Sequence, residues 1–279
     1  MSSQYSETVE TAREYYNSTD ADNFYYTIWG GEDIHVGLYE SDDEPIADAS
    51  RRTVKTMAAK LQTLGKDSRV LDVGAGYGGA MRYLADTWGS SCVALNLSEV
   101  ENERDRQMNK EQGLDKLIEV VDGDFENLPY ADESFDIVWC QDSFLHSGNR
   151  ETVIAECARV LKPGGEFIFT DPMQADDAPK DKLQPIYDRI HLESMGSPGF
   201  YREVAPKHNL KEIDFEDHSP QLPRHYGRVL KELAGREQEV QQAGVSQEYI
   251  ERMKKGLSHW VEGGNNGYLR WGIFHFQKQ

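Results

Sequence analysis

From residue 69 to residue 172, short β-branched apolar runs alternate with longer stretches of helical period, the pattern of a parallel sheet covered by helices. RVLDV (69–73) reads as a first strand and runs through GAGYGG into MRYLADTWG, a helix beginning near Gly79. SCVALNL (91–97) reads as the second strand, SEVENERDRQMNKEQG as a charged helix capped by Ser98, and LIEVV (117–121) as the third strand. FDIVWC (135–140) is the fourth. A helix ending in ARVLKPGG follows, stopped by Pro163, Gly164 and Gly165 before EFIFTDP, the fifth strand. With right-handed crossovers these units predict an α/β fold with a doubly wound, Rossmann-like sheet.

The flanks carry a different pattern. Residues 1–68 read as a helical lid with an aromatic-rich loop, YYNSTDADNFYYTIWGGEDIHVGLY. Residues 173–209 and 221–262 read as helical around a strand at KEIDFED (211–217), and YLRWGIFHFQK (268–278) alternates as a last strand. The organisation expected is a lid (1–68), a ligand-binding core (69–172) and a helical cap with the last sheet strands (173–279). The cap would cover the carboxyl ends of the strands, where open α/β sheets bind ligands.

Charge narrows the partners. Lys and Arg number 30 against 49 Asp and Glu, a formal net charge of −19. Such a surface repels phosphate backbones and anionic lipid, so neither nucleic acid nor membrane is an expected partner. No apolar run approaches the roughly 18 residues that span a bilayer, and MSSQYSETVE has no signal-peptide character, so a cytoplasmic location is expected. Cys92, Cys140 and Cys157 form no CxxC and read as small buried hydrophobes in a reducing compartment. The histidines do not pair at ligand spacing with cysteine or clustered carboxylates, so no metal is expected. Acidic residues recur from Glu7 to Glu262 without a block, which fits a protein kept soluble at high salt and equally an ordinary acidic enzyme.

Gly74, Gly76 and Gly79 spell G-x-G-x-x-G between a strand and a helix, where glycine permits close approach of backbone to a ligand. A dinucleotide pyrophosphate would fit such a loop. Three details point elsewhere: a long helical segment precedes the strand, Asp72 stands two residues before the first glycine, and LPYADESFDIVWCQDSFLH and ARVLKPGGEFIFTDP are further signatures a dehydrogenase does not require. VLDVGAGYGG, GDFENLPYADESFDIV and RVLKPGGEFIFTD, in this order and spacing, resemble the class I S-adenosylmethionine-dependent methyltransferases. The resemblance implies S-adenosyl-L-methionine as cofactor and a cofactor-binding core at 69–172. Its methionine part would lie beside Gly74, Ala75 and Gly76. The ribose position falls on Asn96 and Leu97, where the family usually has an acidic residue, a departure that weakens charge-assisted binding. Asp124 and Phe125 match the pair that meets the adenine, although Asp124 could instead serve as a turn cap. Gln141, at the end of the fourth strand, is placed to reach the cofactor as well.

The flanking segments YYNSTDADNFYYTIWGGEDIHVGLY, LNLSEVENERDRQMNKEQG, QDSFLHS, TDPMQADD, LPRHYGRV and GYLRWGIFHF extend the likeness over nearly the whole chain, to the sarcosine/dimethylglycine N-methyltransferases. That resemblance implies methylation of sarcosine and N,N-dimethylglycine to glycine betaine, by a monomer or homodimer. A second acceptor, glycine, a phosphobase or a lipid, is the alternative, and a non-catalytic cofactor-binding protein a further one. A small zwitterionic amine needs a carboxylate partner, aromatic faces and a proton acceptor. Arg224 is the expected carboxylate partner, with Arg202 and Arg228 behind it. Tyr25, Trp29, Tyr201, Tyr226 and Trp271 are the expected aromatic contacts, since a quaternary ammonium cannot donate an N–H bond and cation–π contacts contribute about 0.5–2 kcal/mol each. His146 is the expected base with Tyr16 as its partner, because the related phosphoethanolamine N-methyltransferases carry His and Tyr at the matching places. His35, in IHVG, reads as a lid contact to the cofactor carboxylate or to substrate, and His225 could replace either histidine. The acidic surface would then suit an enzyme making a compatible solute in a cell that meets high salinity.

Overall fold

A computed structural model describes residues 5, 7–190 and 194–279. Its centre is a seven-stranded sheet whose strands are β1 (Arg69–Val73), β2 (Ser91–Asn96), β3 (Ile118–Asp122), β4 (Phe135–Gln141), β5 (Leu161–Thr170), β7 (Leu210–Asp217) and β9 (Gly272–Lys278), in the order β3-β2-β1-β4-β5-β9-β7. All pairs are parallel except those of β9, which runs antiparallel to both β5 and β7. A two-stranded ribbon joins β6 (Met173–Gln174) to β8 (Leu269–Arg270). The strand order reverses between β1 and β4, so the connections that leave their carboxyl ends diverge and leave a crevice there.

Strands with both faces covered read as continuous apolar runs, as these do. Leu71, Val73, Leu95, Val138, Phe167 and Phe169 enter one core, against α6 (Arg150–Val160) and α8 (Pro198–Val204). Val70, Ala94, Ile137, Trp139 and Ile168 enter the other, against α3 (Ile46–Lys60) and α4 (Gly79–Trp88). The helix α5 (Glu99–Glu111) is capped by Ser98, whose hydroxyl accepts from Glu101 N. Cys92, Cys140 and Cys157 are free thiols buried in these cores.

A third core unites the two flanks. Phe24, Ile28 and Trp29 from the N-terminal part pack with Val229, Leu233, Tyr249, Met253 and Leu257 from the C-terminal part. These side chains belong to α2 (Thr19–Trp29), α9 (Gln221–Gly235) and α11 (Gln247–Asn265). The remaining flanking helices are α1 (Glu7–Tyr16), α7 (Lys180–Ile190) and α10 (Glu237–Gln242).

Three elements differ from expectation. Much of the aromatic stretch expected as a loop is α2, because Ser18 caps its first turn and Gly30, at φ 83°, releases the chain at its end. The helix before the fifth strand ends at Val160, ahead of Pro163. Leu161 already pairs with Phe135, and the Pro-Gly-Gly turn is carried as an irregularity inside β5. The last strand is broken at Trp271 into β8 and β9, which join different sheets.

Candidate active site

The glycine loop after β1 forms the floor of an inner cavity at the carboxyl ends of β1, β2 and β4. Gly74 has φ 97°, and a Cβ there would stand 2.3 Å from the Ser143 hydroxyl, so only glycine fits. Ala75, Gly76, Asn96, Leu97, Asp124, Phe125, Gln141 and His35 all line this cavity. Its polar rim has acceptors and donors still to be used. Gln141 accepts from Trp139 Nε1 through Oε1 at 3.0 Å and leaves Nε2 buried without a partner. Asp124 caps the turn that follows it, taking Glu126 N (2.7 Å) and Asn127 N (3.0 Å), both on Oδ1. The expected alternative role is therefore present, and the same carboxylate lies on the cavity wall.

Glu101 is a residue the sequence reading missed. It lies in the first turn of α5, five positions past Asn96, and is 2% exposed. Its Oε2 accepts from Asn96 Nδ2 at 2.9 Å, Oε1 has no hydrogen-bond partner, and both residues line the inner cavity. Burial pushes its carboxyl up to about 7. A buried carboxylate therefore stands beside Asn96, on the helix rather than on the strand. The signal available in the sequence was an acidic residue in the turn after Ser98.

Above the inner cavity lies an outer one of roughly 630 Å³, covered by α1, α7, α9 and α11. Tyr16, His35, Asp142 and His146 belong to both walls. His146 ends a short 3-10 turn, Phe144–His146, that leaves β4. Its Nε2 lies 2.8 Å from the Tyr16 hydroxyl, and the two rings meet edge to face with centroids 5.3 Å apart. Burial raises the Tyr16 phenol well above its ordinary value. Beyond this pair, Tyr25 stands 5.8 Å from Tyr16 and 5.0 Å from Trp29, ring to ring, and Tyr226 completes the aromatic wall.

Asp142 was also missed, though it directly follows Gln141. It has φ 55°, uncommon for a residue with a Cβ and a mark of backbone held by its surroundings. Its Oδ2 accepts from Val36 N and its Oδ1 from Trp271 Nε1, each at 2.7 Å, and burial raises its carboxyl.

Arg224, Arg202, Arg228, Tyr201 and Trp271, all expected at the acceptor, lie off the cavity walls. Arg224 donates to Tyr39 O at 3.0 Å and to Asp42 Oδ1 at 2.6 Å. Arg202 pairs with Glu212, away from α9, while Arg228, one turn along α9 from Arg224, pairs with Glu232. Tyr201 is sealed in the sheet core and donates to Asp171 Oδ2 at 2.6 Å. Asp171 Oδ1 takes Leu145 N, so Tyr201 supports the turn that carries His146 from behind. Trp271 lies behind the wall, packed in one cluster with Val36, Leu145 and Trp260 and donating to Asp142. Arg252, Lys255 and His259 of α11 line the outer cavity instead, unmarked by any motif in the sequence. Among the described residues no cluster of His, Cys, Asp or Glu is arranged to hold a metal ion.

A methyltransferase domain model matches residues 71–169. A sarcosine/dimethylglycine N-methyltransferase of Halorhodospira halochloris is 67% identical over 270 residues, covering 97% of this chain and 96% of its own. An enzyme of the same name from Aphanothece halophytica is 52% identical, covering 97% of each chain. A crystal structure assigned to a sarcosine dimethylglycine methyltransferase of Galdieria sulphuraria superposes with a TM-score of 0.90 at 44% identity, over 95% of this chain and 99% of that one.

Proposed function

This chain belongs to the sarcosine/dimethylglycine N-methyltransferase family, and on that premise we propose that it uses S-adenosylmethionine to methylate sarcosine and N,N-dimethylglycine, ending in glycine betaine. The observation that carries the reading is the Tyr16–His146 contact of 2.8 Å on the wall shared by the two cavities. A proton acceptor there stands between a cofactor in the inner cavity and an amine in the outer one.

The inner cavity fits the cofactor. The Gly74–Gly76 backbone lies open beside Ser143 for the methionine part, Asn96 and Glu101 offer an amide and a free carboxylate oxygen for the ribose diol, and Asp124 with Phe125 suits the adenine. Bound there, S-adenosylmethionine supplies an electrophilic methyl group: the nitrogen–carbon bond forms as the carbon–sulfur bond breaks, and the electron pair leaves on sulfur.

The acceptor amine carries a proton at neutral pH, since aliphatic amines titrate near 10 as lysine does. Tyr16 takes that proton on its oxygen while passing its own to His146 Nε2. The raised phenol makes a free phenolate unfavourable, so the two transfers go together. Tyr25, Trp29 and Tyr226 present ring faces to the nitrogen as it becomes cationic, and the covering helices exclude water that would otherwise solvate it.

Purified protein given labelled methyl donor and, in turn, glycine, sarcosine, N,N-dimethylglycine and phosphoethanolamine should label sarcosine and dimethylglycine. Labelling of neither overturns the reading.

A further inference from the structure

The amino acid acceptor proposed above brings a carboxylate, and with Arg224 held by Tyr39 and Asp42 that group has no assigned partner. The next residue on α9 faces another way, since successive helical positions diverge by about 100°. His225 is fully buried and forms part of the outer cavity wall, with its ring centroid 5.4 Å from that of Trp29.

The hydrogen bonds fix its tautomer. Gly37 N donates to His225 Nδ1 at 3.3 Å, and a peptide N–H can only donate, so Nδ1 holds the lone pair and the ring proton sits on Nε2. The Tyr39 hydroxyl, 2.9 Å from the same Nδ1, must then donate too. Burial, with His35 nearby, pushes the imidazole down to about 3 and keeps it neutral. Nε2 is buried and has no hydrogen-bond partner among the described residues. The wall therefore holds an N–H donor of fixed direction, within an aromatic lining, with nothing to accept from it.

The neighbouring peptide fixes where this donor stands. Val36 N is bound by Asp142 and Gly37 N by His225, so one extended segment carries both groups through consecutive amides. Asp142 faces the cofactor side, being on both walls, whereas His225 belongs to the outer wall alone. We infer that His225 determines acceptor specificity by donating its Nε2–H to the acceptor's carboxylate, an inference that rests on the amino acid acceptor of the preceding section. A neutral donor holds the carboxylate by direction rather than by charge. A buried donor left unpaired selects strongly against an analogue lacking the acceptor group.

Binding of N,N-dimethylglycine and of N,N-dimethylethylamine, which lacks the carboxylate, can be measured by calorimetry in the presence of S-adenosylhomocysteine. Two variants divide the two ring nitrogens: His225→Asn keeps an acceptor for Gly37 N but loses the Nε2 donor, and His225→Gln keeps a donor near Nε2. The Asn variant should bind dimethylglycine about 10-fold to 100-fold more weakly, bind the carboxylate-free amine as the wild type does, and keep its cofactor affinity. The Gln variant should recover part of the loss. Equal weakening toward both amines, or no weakening toward dimethylglycine, overturns the inference, the latter leaving an ordered water as the partner of Nε2. Binding with this selectivity but without methyl transfer would leave the carboxylate donor standing and overturn the proposed activity instead.

Discussion

Replacing Glu101 by glutamine should make the protein more stable and worse at holding its cofactor. Burial raises this carboxyl from 4.5 to about 7 in the fold, so the native state holds the proton that the unfolded chain releases. The ionised side chain opposes folding: the penalty is absent below the unfolded value, grows as pH rises toward 7, and is constant above it. A displacement of that size corresponds to about 3 kcal/mol at pH 8. Glutamine escapes this penalty, keeps the bond from Asn96 Nδ2 through its oxygen, and sets an amide N–H where Oε1 stood unpartnered, which costs about 1–2 kcal/mol. The apo variant should gain about 1–2 kcal/mol at pH 8 and lose up to about 1 kcal/mol at pH 5, where the wild-type penalty has largely gone and the amide cost remains. Loss of the carboxylate acceptor for the ribose hydroxyls removes about 1.5–3 kcal/mol of binding, weakening the cofactor about 10-fold to 100-fold. Urea unfolding at the two pH values and titration with S-adenosylhomocysteine at pH 8 measure both sides. A variant less stable at pH 8 with unchanged cofactor affinity would refute the assignment.

Other outcomes follow from the same structure. Tyr16→Phe should lower kcat about 100-fold with cofactor affinity nearly intact, and adding His146→Ala should lower it little further, because the two act as one relay; single-turnover rates of the three variants decide this. Glu166 is buried and accepts from Gln62 N, Thr63 N, Thr63 Oγ1 and His275 Nε2, which hold its carboxyl down to about 2. Titrating below its unfolded value of 4.5, it contributes about 3 kcal/mol above that pH, lost as pH falls to about 2. The stability gap between wild type and Glu166→Gln should therefore narrow in urea melts taken from pH 7 down to pH 3.

The sheet was legible because its chemistry is local. Each core strand is a short apolar run bounded by glycine, proline or a cap, and β1 to β5 fall within a few residues of where these signals place them. The inner cavity was legible for the same reason, its residues coming from the ends of those strands. The outer cavity was not, because it is built where α1, α7, α9 and α11 meet, and no periodicity states which face of a helix meets which. Arg224 and His225 make the point: adjacent in sequence, both able to bind a carboxylate, they meet Tyr39 from neighbouring faces of α9, and His225 alone reaches the cavity wall. Glu101 escaped notice for a subtler reason. On a helix crowded with acidic residues, burial alone sets it apart from Glu99, which pairs with Arg13 at the surface.

Asp142 stands at the partition between the cavities with both oxygens pinned by N–H donors. Across that partition the reaction moves one unit of positive charge, from sulfur to nitrogen, over the length of a forming bond. The total charge facing Asp142 is the same before and after. A fixed anion that sees a cation merely change sides does not have to turn or resolvate as the transfer proceeds. The same holds for a second turnover on the once-methylated product, once its nitrogen has lost its proton. One rigid partition can in this way serve two successive methylations, with the acceptor gaining bulk at each round while the electrostatics of the crossing stay constant.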